Sequence, residues 1–303
     1  MFSVIFPGQG SQIIGMGKEF YNRYDLVKKL FKDADDVLDL NLSKIILEGP
    51  KDQLDLTVNT QPAIFLISYS IFQVIKKEFE IDLNKAKFFA GHSLGEYSAI
   101  SCAGYLDFKD TIKILKIRGN AMQNAVPKGE GGMLAVLGST TQNIENILQG
   151  NKNFLAEIAN DNSEGQIVVS GKLDDLKKFM EILKSQGIKN IKLPVSAPFH
   201  CELMRNATKI MSDEIKKINF VKGYNVLMSN VTANKITETS EIKDLLIKQI
   251  ESRVRWRESV VNMINTGVNS FVEIGPGKVL SGLVKRINKE VKVQSINNEE
   301  DIN

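Results

Sequence analysis

The chemistry that this sequence could perform centres on a serine between two glycines. Ser93 lies in the segment GHSLG at residues 91–95, which fits the pattern G-x-S-x-G. In that pattern the serine stands on a sharp strand-to-helix turn and exposes its hydroxyl as a nucleophile. The N–H of Leu94, at the helix start, could then donate to an oxyanion. The pattern predicts a nucleophile elbow, with a turn whose serine caps the helix as the alternative.

A serine hydroxyl is a poor nucleophile until a base takes its proton. The chain has two histidines, His92 and His200. His92 adjoins Ser93, and successive side chains at a strand end point to opposite sides, so His92 is badly placed to be the base. His200 is the predicted base, with a structural surface histidine as the alternative. No carboxylate is marked as its partner, and candidates such as Glu251 and Glu273 are equally unmarked. A backbone carbonyl could also orient the imidazole, so the prediction is a Ser–His dyad.

One arginine is predicted to lie on an apolar helix face. A helix is expected from residue 107 to about residue 125, and in it Leu115, Arg118 and Met122 follow at spacings of three and four. A buried guanidinium needs an anion, because an unpaired buried charge is costly. Either an internal carboxylate pairs with Arg118, or a substrate carboxylate binds to it in bidentate fashion.

A glycine-rich segment, PGQGSQ at residues 7–12, directly follows the first predicted strand at residues 4–6. Such a loop brings backbone N–H groups close to an anion, and Gln9 is the predicted second oxyanion donor. The glycines are spaced G-x-G-x-x-x-x-G, which differs from the dinucleotide fingerprint G-x-G-x-x-G. A dinucleotide site and a simple tight turn remain as the alternatives.

Composition excludes several classes of protein. The 303 residues are 43% hydrophobic and 25% charged, as in soluble globular proteins, and the net charge of +3 is too small to indicate nucleic-acid binding. The most apolar stretch, residues 63–75, is expected to be too short and too polar to span a bilayer. No basic region precedes the apolar N-terminal residues, so no secretory signal is predicted.

The two cysteines, Cys102 and Cys201, predict a reducing compartment without a disulfide framework. Cys201 adjoins His200 and is a rival nucleophile, but it lies in no elbow. The sequence shows no metal-ligand spacing. A cytoplasmic enzyme is therefore expected.

The elements that position these residues fall into two kinds. A strand at residues 86–90 and a helix at residues 94–103 flank the elbow, and similar alternation in 1–127 and 197–303 predicts a mostly parallel sheet covered on both faces. Residues 128–196 instead predict the order βαββαβ, the ferredoxin-like unit, inserted as a small domain. Its strands are expected at 133–137, 154–159, 166–170 and 188–195, its helices at 140–148 and 173–185, and a loop at 160–165.

Five segments together resemble one family. They are FPGQGSQ at 6–12, GHSLGEY at 91–97, IRG at 117–119, APFH at 197–200 and EIGPG at 273–277. In this order they are similar to the malonyl-CoA:acyl-carrier-protein transacylases of bacterial fatty acid synthesis, over nearly the whole chain. The resemblance implies an α/β-hydrolase-like large domain with an inserted ferredoxin-like small domain.

The resemblance also implies a role for each of six residues: Ser93 as the malonyl-ester nucleophile, His200 as base and then acid, the N–H groups of Gln9 and Leu94 as the oxyanion hole, Arg118 as the ligand of the malonyl carboxylate, and the carbonyl of Gln249 as the group that orients the histidine. This sequence departs from the family pattern at Glu164, where a proline is expected, and at Phe199, where relatives have serine.

The implied reaction is a two-step exchange in which malonyl-CoA acylates the serine and the phosphopantetheine thiol of an acyl carrier protein takes the malonyl group. The resemblance implies a cytoplasmic monomer that needs no cofactor or metal and binds neither nucleic acid nor membrane. An acidic carrier would need basic residues near the cleft, for which Lys189, Lys192 and Arg286 are candidates. A serine esterase or thioesterase of the α/β-hydrolase type, or a non-catalytic carrier-binding module, is the alternative function.

Overall fold

Two separate β-sheets organise the chain in the computed structural model, which describes residues 1–195 and 197–302. The strands are β1 (Phe2–Phe6), β2 (Phe88–Gly91), β3 (Gly131–Leu137), β4 (Ala156–Ser163), β5 (Gln166–Lys172), β6 (Lys189–Lys192), β7 (Val226–Met228), β8 (Lys235–Ile236), β9 (Ser270–Ile274) and β10 (Lys292–Ile296).

Helices connect most of these strands. They are α1 (Lys18–Arg23), α2 (Asp25–Leu38), α3 (Leu42–Leu47), α4 (Lys51–Leu54), α5 (Thr57–Lys77), α6 (Leu94–Cys102), α7 (Phe108–Gln123), α8 (Thr141–Gly150), α9 (Leu173–Ser185), α10 (Arg205–Lys217), α11 (Thr239–Gln249), α12 (Trp256–Asn265) and α13 (Val279–Ile287). The short elements α1, α4 and β8 have no counterpart in the sequence prediction.

The larger sheet has the strand order β10-β9-β1-β2-β7-β8, and only the pair β7–β8 is antiparallel. Helices pack on both faces of this sheet. The side chains of successive β1 residues therefore enter two different apolar cores, one on each face. Val4 and Phe6 pack with α5 and α6, whereas Ile5 packs with α12 and α13. Burial on both faces explains why the central strands have unbroken apolar runs, at residues 4–6 of β1 and 88–90 of β2. The prediction of a mostly parallel, two-faced sheet is confirmed.

The smaller sheet has the order β4-β5-β3-β6, and each of its strand pairs is antiparallel. Its elements follow one another as βαββαβ, as the sequence predicts, and it has an apolar core of its own with α8 and α9. The predicted domain limit at residue 196 and the chain end at residue 303 lie outside the described residues.

The predicted loop at 160–165 is wrong for its first four residues. Strand β4 continues through Ser163, and only Glu164 and Gly165 form the turn to β5. These polar residues are extended because they pair with β5, with Asp161 opposite Ile167 and Ser163 opposite Gln166. In addition, the N–H of Asp161 donates to the carbonyl of Val254 at 3.0 Å. This tertiary partner could not be seen in a polar run of sequence.

Helix α5 forms the centre of the larger core. Its 21 residues have the length and apolar composition to cross a membrane. The helix is longer than the apolar stretch at residues 63–75, which was expected to be too short to span a bilayer. However, 83% of its most apolar window is buried inside the protein. Packing within the chain therefore accounts for its apolar surface, and Gln61 near its start is buried with the rest.

Candidate active site

Ser93 lies between the end of β2 and the start of α6, at the strand-to-helix turn that the sequence predicts. Its φ of 54° and ψ of −111° are rare for a residue with a side chain. Two glycines permit this turn: a Cβ on Gly91 would lie 1.9 Å from the backbone of Gly95, and a Cβ on Gly95 would lie 2.3 Å from the carbonyl of Phe6. The Ser93 side chain makes no helix-capping hydrogen bond, which argues against the capping alternative.

His200 reaches Ser93 from the segment that follows the smaller sheet. Its Nε2 lies 2.8 Å from the Ser93 hydroxyl, and its Nδ1 lies 2.8 Å from the backbone carbonyl of Gln249. Because a carbonyl can only accept, Nδ1 carries the proton and Nε2 is free to accept from the serine. Burial, helped by the positive Arg118, lowers the pKa of His200 to about 3, so the imidazole is neutral near pH 7.

The two carboxylates considered as partners of His200 do not contact it in the part of the chain that the structure describes. Glu273 is fully buried and accepts hydrogen bonds from the N–H groups of Leu280 and Ser281, at the start of α13. Glu251 makes no hydrogen bond to His200. The sequence could not choose between these carboxylates, and the observed partner is the carbonyl of Gln249.

Arg118 is 1% exposed and its guanidinium lies beside the Ser93 hydroxyl. Its Nη1 donates to the side-chain oxygen of Gln61 at 2.7 Å, and its Nη2 donates to the Ser93 Oγ at 3.1 Å and to the side-chain oxygen of Gln249 at 2.8 Å. Among residues 1–195 and 197–302, no carboxylate oxygen lies within 4.0 Å of its nitrogens. The alternative of an internal salt bridge is therefore not observed, and the charge is held by neutral amides.

A second layer of buried polar groups holds the elbow itself. The side chain of Asn230 accepts from the N–H of Ser93 at 2.7 Å and donates to the carbonyl of Gly91 at 2.7 Å. The side-chain amide of Gln249 donates to the Ser93 carbonyl at 3.1 Å and to Glu96 at 2.5 Å. Burial raises the pKa of Glu96 to about 7.

Sequence reasoning missed three of these polar residues: Gln61, Glu96 and Asn230. The signal that could have found two of them is a polar side chain inside an apolar helix, since Gln61 lies in α5 and Glu96 in α6. Nothing in the sequence around Asn230 singles it out.

Both predicted oxyanion donors line the cleft beside Ser93. Leu94 is the first residue of α6, and the loop of Gln9 is pressed against the elbow, since a Cβ on Gly8 would lie 2.6 Å from the carbonyl of His92. The N–H of Ser93 is already used by Asn230. Within the described residues the N–H groups of Gln9 and Leu94 have no acceptor, so they can donate to an oxygen in the cleft.

The cleft has a volume of about 240 Å³ and runs between the two sheets. Met133 and Val168 contribute apolar walls from the smaller sheet. His92 faces that sheet and not Ser93: its Nε2 lies 2.8 Å from the side-chain oxygen of Asn162. This geometry agrees with the expectation that His92 is not the base.

The remaining residues of interest are exposed and do not line the cleft. Lys189 and Lys192 are exposed on β6, and Arg286 is exposed on α13 with a hydrogen bond to Gln166. Glu164 is exposed in the turn between β4 and β5. No three His, Cys, Asp or Glu side chains within the described ranges are grouped so that they could hold a metal ion.

Comparison with known proteins gives consistent matches along the whole chain. The family model for the acyl transferase domain matches residues 3–300. The malonyl CoA-acyl carrier protein transacylase of Bacillus subtilis (strain 168) is 42% identical over 304 residues, covering 98% of this chain and 94% of the relative.

Solved structures agree with these sequence matches. The acyl-carrier-protein-S-malonyltransferase of Bartonella henselae superimposes with a TM-score of 0.96 at 42% identity, covering 99% of this chain and 96% of the other. A malonyl-transacylase in complex with its type II PKS acyl-carrier protein superimposes with a TM-score of 0.95 at 34% identity, covering 99% and 97%.

Proposed function

The chain belongs to the acyl transferase family, and we propose that it transfers a malonyl group from malonyl-CoA to the phosphopantetheine thiol of an acyl carrier protein. The observation that carries the proposal is Arg118: a buried guanidinium, without a carboxylate partner among the described residues, whose Nη2 lies 3.1 Å from the Ser93 hydroxyl. A carboxylate at one end of an acyl chain could pair with this guanidinium while its carbonyl meets the serine.

The first half-reaction forms an ester on Ser93. The Ser93 Oγ attacks the thioester carbonyl while Nε2 of His200 takes the hydroxyl proton, a role that their 2.8 Å contact supports. The negative charge on the carbonyl oxygen is met by the N–H groups of Gln9 and Leu94. The C–S bond then breaks, and His200 returns the proton to the CoA thiolate.

The second half-reaction reverses these steps with a different thiol. His200 takes the proton of the phosphopantetheine thiol, the sulfur attacks the ester carbonyl, and the Ser93 alkoxide leaves and regains a proton from His200. The backbone carbonyl of Gln249 keeps the imidazole in one tautomer throughout, as its 2.8 Å contact with Nδ1 supports. No metal or cofactor takes part in the proposed steps.

We also propose how the fold serves this reaction. The parallel sheet and its helices, residues 1–127 and 197–303, would form an α/β-hydrolase-like catalytic domain, and residues 128–196 an inserted ferredoxin-like domain that covers the cleft. The acidic carrier would approach the exposed basic residues Lys189, Lys192 and Arg286. We further propose that the working form is a cytoplasmic monomer without membrane contact.

The proposed function can be tested by detecting the malonyl ester on Ser93. We expect that malonyl-CoA alone adds one malonyl mass to the protein, located on Ser93 by peptide mass spectrometry after acid quench, and that Ser93→Ala abolishes the adduct. A holo acyl carrier protein should then remove the adduct and become malonylated. Absence of the adduct on wild-type protein would contradict covalent transfer.

A panel of donors separates the proposed function from its alternatives. An esterase would release free acid from a neutral ester at a rate comparable to its use of malonyl-CoA. A carrier-binding module would keep its affinity for the carrier in Ser93→Ala and transfer nothing in either form. The transferase should instead prefer malonyl-CoA and deliver the acyl group to the carrier thiol rather than to water.

A further inference from the structure

Glu96 is a buried carboxyl group that has no task in the reaction described above. It is 2% exposed and lies on α6, three residues after Ser93. Its Oε2 accepts from the side-chain amide of Gln249 at 2.5 Å, and its Oε1 lies 3.3 Å from the N–H of Asn230. A carboxylate this far from water is stable only if a positive charge or several donors compensate for it.

A single side-chain amide joins Glu96 to Arg118. Gln249 accepts from Nη2 of Arg118 through its oxygen and donates to Glu96 through its nitrogen. The partners fix this orientation, because a guanidinium only donates and a carboxylate only accepts. The two opposite charges therefore share one buried region, and the amide keeps them apart.

The other titratable groups that face this pair are neutral near pH 7. From α6, Tyr97 packs its ring 5.4 Å from the Arg118 guanidinium carbon, and burial raises the pKa of Tyr97 to about 12. From the segment before α10, His200 has its pKa lowered to about 3 by burial and by Arg118. From α11 and from the loop after β7, Gln249 and Asn230 contribute groups that do not titrate. Among the residues that the structure describes, Glu96 and Arg118 are thus the two charges of this buried region.

We propose that Glu96 is the counter-charge of Arg118 before acylation and that it takes up a proton from solvent when a substrate carboxylate binds to the guanidinium. The inference rests on the proposed function. A second carboxylate beside one guanidinium would leave the buried region with an excess negative charge, and like charges that share a site cannot both stay ionised at low cost. The substrate carboxylate makes the direct bidentate contact, so Glu96 gains the O–H bond and the proton comes from the buffer. Glu96 is a positioning residue, since it does not touch the substrate.

The expected signature is a Michaelis constant that depends on pH. Burial raises the pKa of Glu96 to about 7 in the free protein, and the bound carboxylate raises it further. Binding is then strongest where Glu96 is already protonated and weakens as the pH rises above that value. The KM for malonyl-CoA should rise about 30-fold from about pH 6 to about pH 8.5, with little change in kcat.

Two comparisons isolate the cause of this rise. Acetyl-CoA has the same CoA phosphates but no free carboxylate, so its KM, or its inhibition constant if turnover is slow, should stay within about 3-fold over the same range. The variant Glu96→Gln keeps an acceptor for the Gln249 amide but cannot titrate, and its KM for malonyl-CoA should also be flat. A purely structural role of Glu96 would alter activity without removing the pH dependence.

Proton uptake can be measured directly without any change at Glu96. In the turnover-deficient Ser93→Ala protein, calorimetric titration with malonyl-CoA at about pH 8 in two buffers of different ionisation enthalpy should show uptake of about one proton, and titration with acetyl-CoA none. A flat KM in wild type, an equal rise in Glu96→Gln, or no proton uptake would overturn the inference. If no malonyl ester forms on wild-type Ser93, the proposed function itself fails, so the two failures are distinguishable.

Discussion

The substitution Arg118→Ala tests the part of the proposal that decides which acyl group is accepted. Arg118 is 1% exposed, so a malonyl carboxylate that binds to its guanidinium leaves water. The negative charge of that carboxylate is then neutralised by Arg118. Removal of one partner of a buried ion pair costs about 3 kcal/mol or more, because the other charge stays buried and unpaired. This cost corresponds to a loss of about 150-fold in kcat/KM for malonyl-CoA.

The same substitution should spare donors without a carboxylate. Acetyl-CoA leaves the guanidinium of wild-type protein with its amide partners Gln61 and Gln249, and Arg118→Ala removes a charge that such a donor does not use. We expect the ratio of kcat/KM for malonyl-CoA to that for acetyl-CoA to fall by about 100-fold. The assay is transfer to a holo carrier protein from each donor, at several concentrations of enzyme and donor.

Arg118→Lys is the matched control, since it keeps the charge but cannot form the bidentate pair, and it should lie between wild type and Arg118→Ala. Thermal unfolding must accompany both variants, because the side-chain oxygens of Gln61 and Gln249 lose a donor and each buried unpaired acceptor costs about 1–3 kcal/mol. A folded Arg118→Ala protein that keeps the wild-type ratio of the two donors would refute the carboxylate-binding role.

Three further predictions concern the base and the elbow. Because the pKa of His200 is lowered to about 3, the base is neutral above that pH, and kcat for malonyl transfer should show no acid limb near the ordinary histidine pKa of about 6.5 in a pH–rate profile. Asn230→Ala removes two buried hydrogen bonds from the elbow and should cost about 2 kcal/mol, seen as a fall of about 4 °C in Tm together with a lower kcat. Gly95→Ala places a Cβ 2.3 Å from the carbonyl of Phe6 and should abolish ester formation, whereas Gly150→Ala, with nothing within 4 Å, should leave both Tm and ester formation intact.

The parts of the site that were predictable from sequence are those marked by local pattern. The elbow around Ser93 follows from glycine spacing and from the strand and helix beside it, and Arg118 follows from its place on an apolar helix face. His200 follows from elimination, because the chain has only two histidines. Each of these signals can be read from a short segment of sequence or from the number of residues of one type.

The parts that were not predictable depend on contacts between distant segments. Gln61 meets Arg118 across 57 positions, Asn230 meets Glu96 across 134, and Gln249 meets Glu96 across 153. A single sequence does not indicate which buried polar residues find each other over such distances. The extension of β4 through Ser163 was missed for another reason: its polar residues pair with the adjacent β5, and a polar composition is typical of a loop rather than of a strand.

The choice of amides rather than carboxylates around Arg118 has a physical reason. A carboxylate in direct contact would satisfy the guanidinium completely, and a substrate carboxylate would then have to displace an equally charged competitor. The oxygens of Gln61 and Gln249 accept from Nη1 and Nη2 but do not neutralise the positive charge, and Nε has no hydrogen-bond partner among the described residues, so an incoming carboxylate would gain an electrostatic interaction that the amides cannot match. Holding Glu96 one amide away keeps the buried charge tolerable without blocking the position that the substrate needs. In the proposed reaction, selectivity for a charged acyl group would thus depend on a positive charge on Arg118 that the protein itself does not fully neutralise.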